Sequence, residues 1–416
     1  MPAILAPLAY PIFRRFFAGQ VVSKAGDTLF WVALPWQVIL LGGGAPEIGA
    51  VLTAALVAQV VFSVIGGVLV DRWPRKRVVV ASDVLQGLVV AAAGLLALTG
   101  SLTLPGLVAL AALFGAFQAI AFPATGAFLP DTVPKEVLGA ANSLFQGTTI
   151  ASSTIGALAG GLLLAWWGPW SAFFANALTF AVSAPLLASI RMAPRTAPRG
   201  PPRSVLAEAR AGWRYVAATP WLWIGIALFA LFNAAEASPR TVLLPVLVGV
   251  ELGGGAIAFG VVGATLRAGT LVGSFLPGLL PPFKRPGLSG YATVSLVGFL
   301  IVGVALSTTV WQVAALYFGQ GLCFGVFGVI WSTSIGSFVD ERMRGRVISI
   351  DMLGSLSLMP VTAALVGGVS LVVGLRPIFL AGGLIVLAIA GVGLASRRAR
   401  TFGPATLAGS SPDGPA

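Results

Sequence analysis

Long apolar runs follow one another along the whole chain, each closed by glycine, proline or a short charged cluster. They predict membrane-length helices at about 16–41, 47–70, 77–99, 104–127, 138–164, 168–190, 220–249, 256–280, 287–307, 309–335, 346–370 and 374–395. Each holds about 20 residues or more, enough to cross a hydrocarbon core of roughly 30 Å at about 1.5 Å per helical residue. One interior stretch breaks the rhythm. Residues 191–219 open with a Pro/Arg linker, Ala193 to Arg203, that cannot form a helix. From Ser204, a suitable N-cap, Val205, Leu206, Trp213 and Val216 fall on one face of a short amphipathic helix that suits the inner membrane surface. The division expected is a six-helix bundle at 1–190, a cytoplasmic linker at 191–219, a second six-helix bundle at 220–400 and a disordered Gly/Pro/Ser tail at 401–416.

The two halves repeat. Leu34-Pro35 recurs as Leu244-Pro245, Gly115-Ala-Phe117 as Gly325-Val-Phe327, and Gly126-Ala-Phe128 as Gly336-Ser-Phe338, every pair 210 residues apart. Six spans per half make the halves parallel repeats about an axis normal to the membrane.

Composition agrees with an all-α membrane protein. Apolar residues make up 57% of the 416 and charged residues 9%, with a mean hydropathy of +0.96, where a soluble globule is about 25% charged. Twenty-one of the 25 Lys and Arg residues lie in segments that the span pattern puts on one side, and turns such as 42–46, 99–104 and 166–170 carry none. That distribution predicts a multi-pass protein of the bacterial inner membrane with both termini cytoplasmic. The +12 charge is then a matter of anionic lipid and topology, not of nucleic acid, for no basic patch is interleaved with stacking aromatics. Met1 to Tyr10 has no basic region ahead of an apolar one, so the first span is expected to be retained. No histidine occurs, and the one cysteine, Cys323, lies in an apolar span. No metal, disulfide or cofactor is expected.

After the second span comes Gly67-Val-Leu-Val-Asp71-Arg72-Trp-Pro-Arg75-Lys76-Arg77. Gly67 lies one turn from Asp71, where a neighbouring helix can approach closely, and Asp71 suits the positive end of that helix. The block resembles the signature loop of the major facilitator superfamily, which implies a twelve-helix fold and a gate contact between Asp71 and the eleventh span near Arg346. The second half keeps Lys284 and Arg285 without an acid, so the gate is expected to be one-sided. A narrower resemblance, to bacterial enterobactin exporters and macrolide efflux proteins, is carried by Phe122 through Pro130-Asp131 to Asn142-Ser143, by Ala211 to Leu222, and by Met343 to Ser349. It implies proton-driven export of a bulky apolar or amphiphilic compound, with small molecules, protons and lipid as partners and a working monomer. Two departures stand out: the fourth span has no arginine, and Ala157 replaces the usual proline beside Ser152, Gly156, Gly160 and Gly161 of the fifth.

Charge at mid-membrane costs from roughly 2.5 kcal/mol upward, so charges inside spans need partners or a wet cavity. Lys24 and Asp27 stand three apart in the first span, Glu236 and Arg240 four apart in the seventh, and Arg267 midway along the eighth. Either the pairs neutralise themselves, or Asp27 and Glu236 titrate as the cavity alternates, with a cationic substrate competing for the acid. Asp27 is preferred because it opens a stretch, Asp27 to Pro35, that resembles the first-span motif of drug exporters. Asp83 and Asp351, near inner span ends, are expected to be structural and to pair with loop arginines. Phe30, Trp31, Phe114, Phe117, Gln118, Phe122, Phe232, Asn233, Phe324, Phe327 and Trp331 lie on spans that line the cavity in the family and form a candidate substrate surface. Aromatics at such spacing equally serve packing.

An ATP-driven pump is excluded by the lack of a Gly-x-x-x-x-Gly-Lys-Ser/Thr loop, and an enzyme by the lack of a nucleophile–base pair or metal cluster. A secondary active exporter remains. A same-fold importer, facilitator or lysophospholipid flippase is the alternative.

Overall fold

The computed structural model describes residues 3–191, 205–279, 283 and 285–397, apart from the side chains at 3, 64, 65, 67–72 and 205–209. The Pro/Arg linker, Ser204, the tail with its expected disorder, Lys284 and the side chains of Asp71 and Arg72 lie outside those residues.

Apolar composition becomes helix throughout. A 3₁₀ segment, Ala3–Ala9, leads into α1 (Pro11–Leu40), α2 (Ala45–Arg72), α3 (Arg75–Leu98), α4 (Leu104–Phe128), α5 (Leu138–Trp167) and α6 (Pro169–Ala188). The connecting helix is α7 (Val205–Ala218). The second half comprises α8 (Pro220–Val242), the single turn α9 (Leu244–Val246), α10 (Gly255–Leu279), α11 (Pro286–Leu306), α12 (Val310–Phe338), α13 (Glu341–Leu356), α14 (Met359–Val373) and α15 (Leu375–Ala395). Starts follow local chemistry. The Thr309 side chain accepts from the Gln312 amide in a capping box, Asp340 caps α13 by accepting from the Arg342 amide at 2.8 Å, and proline opens α1, α6, α8 and α11.

Two spans expected as single helices are interrupted. The seventh ends as α8 at Val242 and continues through α9 and a π-helical turn, Leu247–Glu251; Pro245 has no N–H to donate back along the helix. The eleventh breaks between α13 and α14, where Pro360 follows the Ser357–Leu358 turn. Pro35, the counterpart of Pro245, leaves α1 unbroken.

Eleven described segments are long and apolar enough to cross a membrane. The twelfth, α1, is diluted by Gln20, Ser23, Lys24, Asp27, Thr28 and Gln37, yet its 30 residues pack along α5 and α6 in the same way. Gln20, Ser23, Asp27, Thr28 and Gln37 are buried against protein, and Lys24 is half-buried. In the first half α2 packs on α4, and α3 on α6; in the second α10 packs on α12, and α11 on α15. The connecting helix α7 lays Tyr215 and Val216 on α8 and α13 and leaves Trp213 exposed, so its apolar face meets protein as well as the surroundings.

The halves meet along two seams, α2 with α14 and α5 with α10. Both lie at the end remote from the basic loops, since they use the starts of α2 and α10, the last turns of α5, and α14. Each seam sets Ala-x-x-x-Gly against a helix of the same pattern: Ala45/Gly49 on Ala363/Gly367, and Ala157/Gly161 on Ala256/Gly260. A Cβ at Gly49 would lie 2.7 Å from the Ala363 carbonyl, and one at Gly260 2.7 Å from Gly161 Cα. Only backbone-to-backbone approach closes such seams. Thr53 Oγ1 adds a hydrogen bond to the Pro360 carbonyl, 3.1 Å. Toward the basic end the halves diverge, with α13 packing on α7, α8 and α12 of its own half. Among the described residues the seams that join the halves lie at the end remote from the basic loops, and no comparable seam joins them beside those loops.

Candidate functional site

In the first half, one face of α1 carries a buried polar row of Gln20, Ser23, Asp27 and Thr28. Lys24 Nζ donates to Asp27 Oδ2 at 2.8 Å, while Asp27 Oδ1, also buried, has no partner. Gly26 makes room for α6: a Cβ there would strike the side chains of Asn176 and Thr179. Asn176 is fully buried and its Nδ2 is unpartnered. Asp83 belongs to this cluster. It is 3% exposed on α3, accepts a hydrogen bond from Ser183 Oγ of α6 at 2.6 Å, and lies within electrostatic reach of Lys24 and Asp27. The expected pairing of Asp83 with loop arginines is therefore corrected: α3 turns it inward, to a serine. Lys24 is ion-paired with Asp27 alone, and Asp83, held by Ser183, is a second carboxylate nearby.

Several aromatic residues of this half are packed into its core. Phe30 and Phe114 are fully buried and stacked with centroids 4.0 Å apart; Trp31, Phe173 and Phe180 pack around them. They are core. Phe117 and Gln118 are half-buried, and Phe122 is exposed.

The second half differs. Glu236, 4% exposed, binds Arg240 through both oxygens, at 2.6 Å to Nε and 3.4 Å to Nη2. Tyr317 of α12 feels both charges. Arg267, half-buried on α10, has Arg240 as its charged neighbour and is in no ion pair or hydrogen bond among the described residues. Asn233 Nδ2 donates to the Ser355 carbonyl at 3.0 Å, and the hydroxyls of Ser238 and Thr362 meet at 2.6 Å across the broken eleventh span.

Here the aromatics do surround space. Phe232, Phe229, Phe327 and Trp331 stack successively, with centroids 5.3, 5.3 and 6.3 Å apart, beside a cavity of about 160 Å³ that Phe324, Cys323, Val294 and Val297 complete. The Trp331 indole donates to Asp351 Oδ2 at 2.9 Å, so Asp351, like Asp83, serves an inward partner and not the expected arginine. Sequence reading missed Phe229, although Phe229 and Phe232 stand one helical turn apart opposite Phe324 and Phe327. It also missed the seams, for which a plain signal exists: Leu41-Gly-Gly-Gly-Ala45 followed by Gly49 recurs as Leu252-Gly-Gly-Gly-Ala256 followed by Gly260, 211 residues on.

Of the basic signature, Arg75 donates to the Ala127 carbonyl (2.7 Å) and to Asp131 (2.9 Å), and Lys76 to the carbonyls of Ala188 and Ile190, both 2.6 Å. They seat cations at the C-terminal ends of α4 and α6, where unpaired carbonyls favour positive charge. Arg77 is exposed. Gly67, Asp71 and Arg72 end α2, and the expected Asp71 contact lies outside the described residues.

The sequence of residues 16–293 matches the model of the Major Facilitator Superfamily. The chain belongs to that superfamily. The enterobactin exporter EntS of Citrobacter koseri is 30% identical over 402 residues, covering 90% of this chain and 93% of the relative. EntS of Salmonella typhimurium is 29% identical over 390 residues, covering 88% and 90%. Among solved structures, the nucleoside transporter NupG superposes with a TM-score of 0.69 at 11% identity, over 92% of this chain and 98% of that one. A bacterial homologue of the human lysosomal transporter Spinster, inward-facing and unoccupied, gives 0.69 at 15%, over 97% and 99%. This facilitator chain is a multi-pass membrane transporter.

Proposed function

We propose that the protein is a proton-coupled exporter of a bulky amphiphilic small molecule of the siderophore or macrolide kind, working by alternating access as a monomer in the bacterial inner membrane. The observation that carries the reading is the buried cluster of Lys24, Asp27 and Asp83. Two acids and one base leave an uncompensated negative charge inside the bilayer, and a proton can neutralise it. Asp27 is the better carrier because one oxygen is unpartnered, whereas Glu236 is engaged at both oxygens by Arg240. The positive-inside rule supports a cytoplasmic side for the basic loops and both termini, so that the end without a seam faces inward. Export is favoured over the importer, facilitator and flippase alternatives by the likeness to enterobactin exporters over nine-tenths of the chain.

The test is proton movement in proteoliposomes under an imposed pH gradient, with enterobactin, erythromycin and a lysophospholipid offered in turn. Enterobactin or erythromycin should drive proton flux in the wild type and not in Asp27→Asn. Flux driven by lysophospholipid alone, or substrate movement indifferent to the gradient, would overturn the reading.

A further inference from the structure

Four cations lie within the spans, and three are neutralised. Lys24 binds Asp27, Arg240 binds Glu236, and Arg376 lies 3.6 Å from Glu251 while donating to the carbonyls of Ala305 and Ser307. Arg267 is the exception. Among the described residues its charged neighbour is another arginine, which raises the cost of its burial.

Its position follows from the helix face it shares. Ala256, Gly260 and Gly263 present the side of α10 that meets α5, and Arg267 falls one turn further along the same side. At Gly260 the helices touch backbone to backbone; at Gly263 a Cβ would already be 3.8 Å from Ala157. Arg267 thus stands where the seam ends and the cleft begins. On α12, Gly321 packs against Leu266 and Thr270, the flanks of Arg267, and so brings Gln320 to the same level. Gln320 is 1% exposed, and neither atom of its amide has a partner. Among the described residues the second half thus sets one unpaired guanidinium where the seam ends, with an unsatisfied buried amide on the neighbouring helix at the same level.

We propose that Arg267 is the docking point for an oxyanion, a carboxylate or phosphate-type group borne by the amphiphilic cargo, whose apolar body spreads toward the Phe229/Phe327 aromatics. A guanidinium offers parallel N–H donors that match the two oxygens of such a group, and in a cleft shielded from bulk water that pairing discriminates strongly against a neutral isostere. Arg240 adds positive potential without needing to leave Glu236. The inference rests on the carrier reading and refines it: proton and cargo charge are held in opposite halves, so they couple through the movement of the halves, not through rivalry for one carboxylate.

The experiment uses the full chain in phosphatidylcholine nanodiscs and two probes of the same shape, 1-naphthoate and 1-naphthalenemethanol, by titration calorimetry. Naphthoate should bind at least about tenfold more tightly. Arg267→Gln should bring the two affinities together without changing that of the alcohol, and Arg267→Lys should keep part of the preference. Equal affinities in the wild type, with both probes bound, would overturn the anion site and leave the carrier reading standing. A preference unchanged in Arg267→Gln would also overturn it. If 30% phosphatidylglycerol abolishes the preference, the oxyanion belongs to lipid and the cargo assignment falls. Failure of both probes to bind would overturn the anion site and the amphiphile pocket together.

Discussion

The first bundle fills its interior with aromatic packing and gathers a surplus acid; the second leaves room among its aromatics and gathers a surplus base. Phe30 and Phe114 in α1 and α4 are fully buried at 4.0 Å, while Phe232, Phe324 and Phe327 in the equivalent α8 and α12 wall a cavity. Lys24 is ion-paired with Asp27 and lies near Asp83; Glu236 is ion-paired with Arg240, which lies near Arg267. Duplication conserved the scaffold and its seams, and the two copies diverged where no seam depends on them. On the proposed reading one half holds the proton and the other the cargo, so neither charge has to displace the other.

The largest break in that comparison is Asp27→Asn. Removing the unpartnered carboxylate leaves Lys24 and Asp83 as a neutral pair, with no surplus charge for a proton to cancel. Transport driven by a pH gradient should fall to the level of empty liposomes, while binding measured at equilibrium persists. Glu236→Gln should retain measurable coupling. The reverse ranking would move the proton to the second half.

Next comes the aromatic contrast. Phe30→Ala opens a void in a closed core and should cost about 3–5 kcal/mol, read as a clear fall in melting temperature in detergent. Phe327→Ala enlarges a cavity that already exists and should leave melting nearly unchanged. It removes an aromatic contact of about 0.5–1.5 kcal/mol and should weaken ligand binding by up to about tenfold. Equal falls in melting temperature would mean that both halves are packed alike.

The scaffold was largely legible because hydropathy acts on whole segments, where single errors average out. Helix breaks at Pro245 and Pro360 were harder to read: the same Leu-Pro leaves α1 intact at Pro35, so tertiary packing decides. The ion pairs Lys24–Asp27 and Glu236–Arg240 could be read from their spacing, since both partners share one helix. Asp83 and Asp351 were misassigned for the opposite reason. Their partners, Ser183 and Trp331, come from other helices, and short-range spacing is silent about which way α3 and α13 are rotated. The same limit hid which aromatics pack and which line space.

The seams supply a sharper test of equivalence. Gly260→Leu inserts a side chain where a Cβ already meets Gly161 and the Ala157 carbonyl. Overpacking of this kind costs about 1–3 kcal/mol, charged only to the state with this end closed. Spin-label distances across the remote end should lengthen and the inward-open population decline. Gly49→Leu should do the same at the other seam. If only one of the two shifts the distribution, the seams are not interchangeable and closure is hinged on the sensitive one.

The smallest effect expected is at the basic end, where the halves look most alike. Arg75 reaches the end of α4 through the Ala127 carbonyl and Asp131, and Arg344 reaches the end of α12 through the Gly336 carbonyl at 2.6 Å. Both are cations at helix C-termini, worth about 0.3–1 kcal/mol each at partly exposed positions. The Arg75–Asp131 pair has side chains 29% and 23% exposed, so screening keeps its own contribution to about 1 kcal/mol or less. Arg75→Ala and Arg344→Ala should therefore each slow transport by no more than about fivefold, with insertion and melting temperature nearly unchanged. The signature loop makes a different prediction, because a gate residue contributes to one conformation and not the other. If Arg75→Ala stops transport while Arg344→Ala does not, and spin-label distances at the basic end shift only in the former, Arg75 leaves its helix cap during the cycle and the first half alone carries the gate.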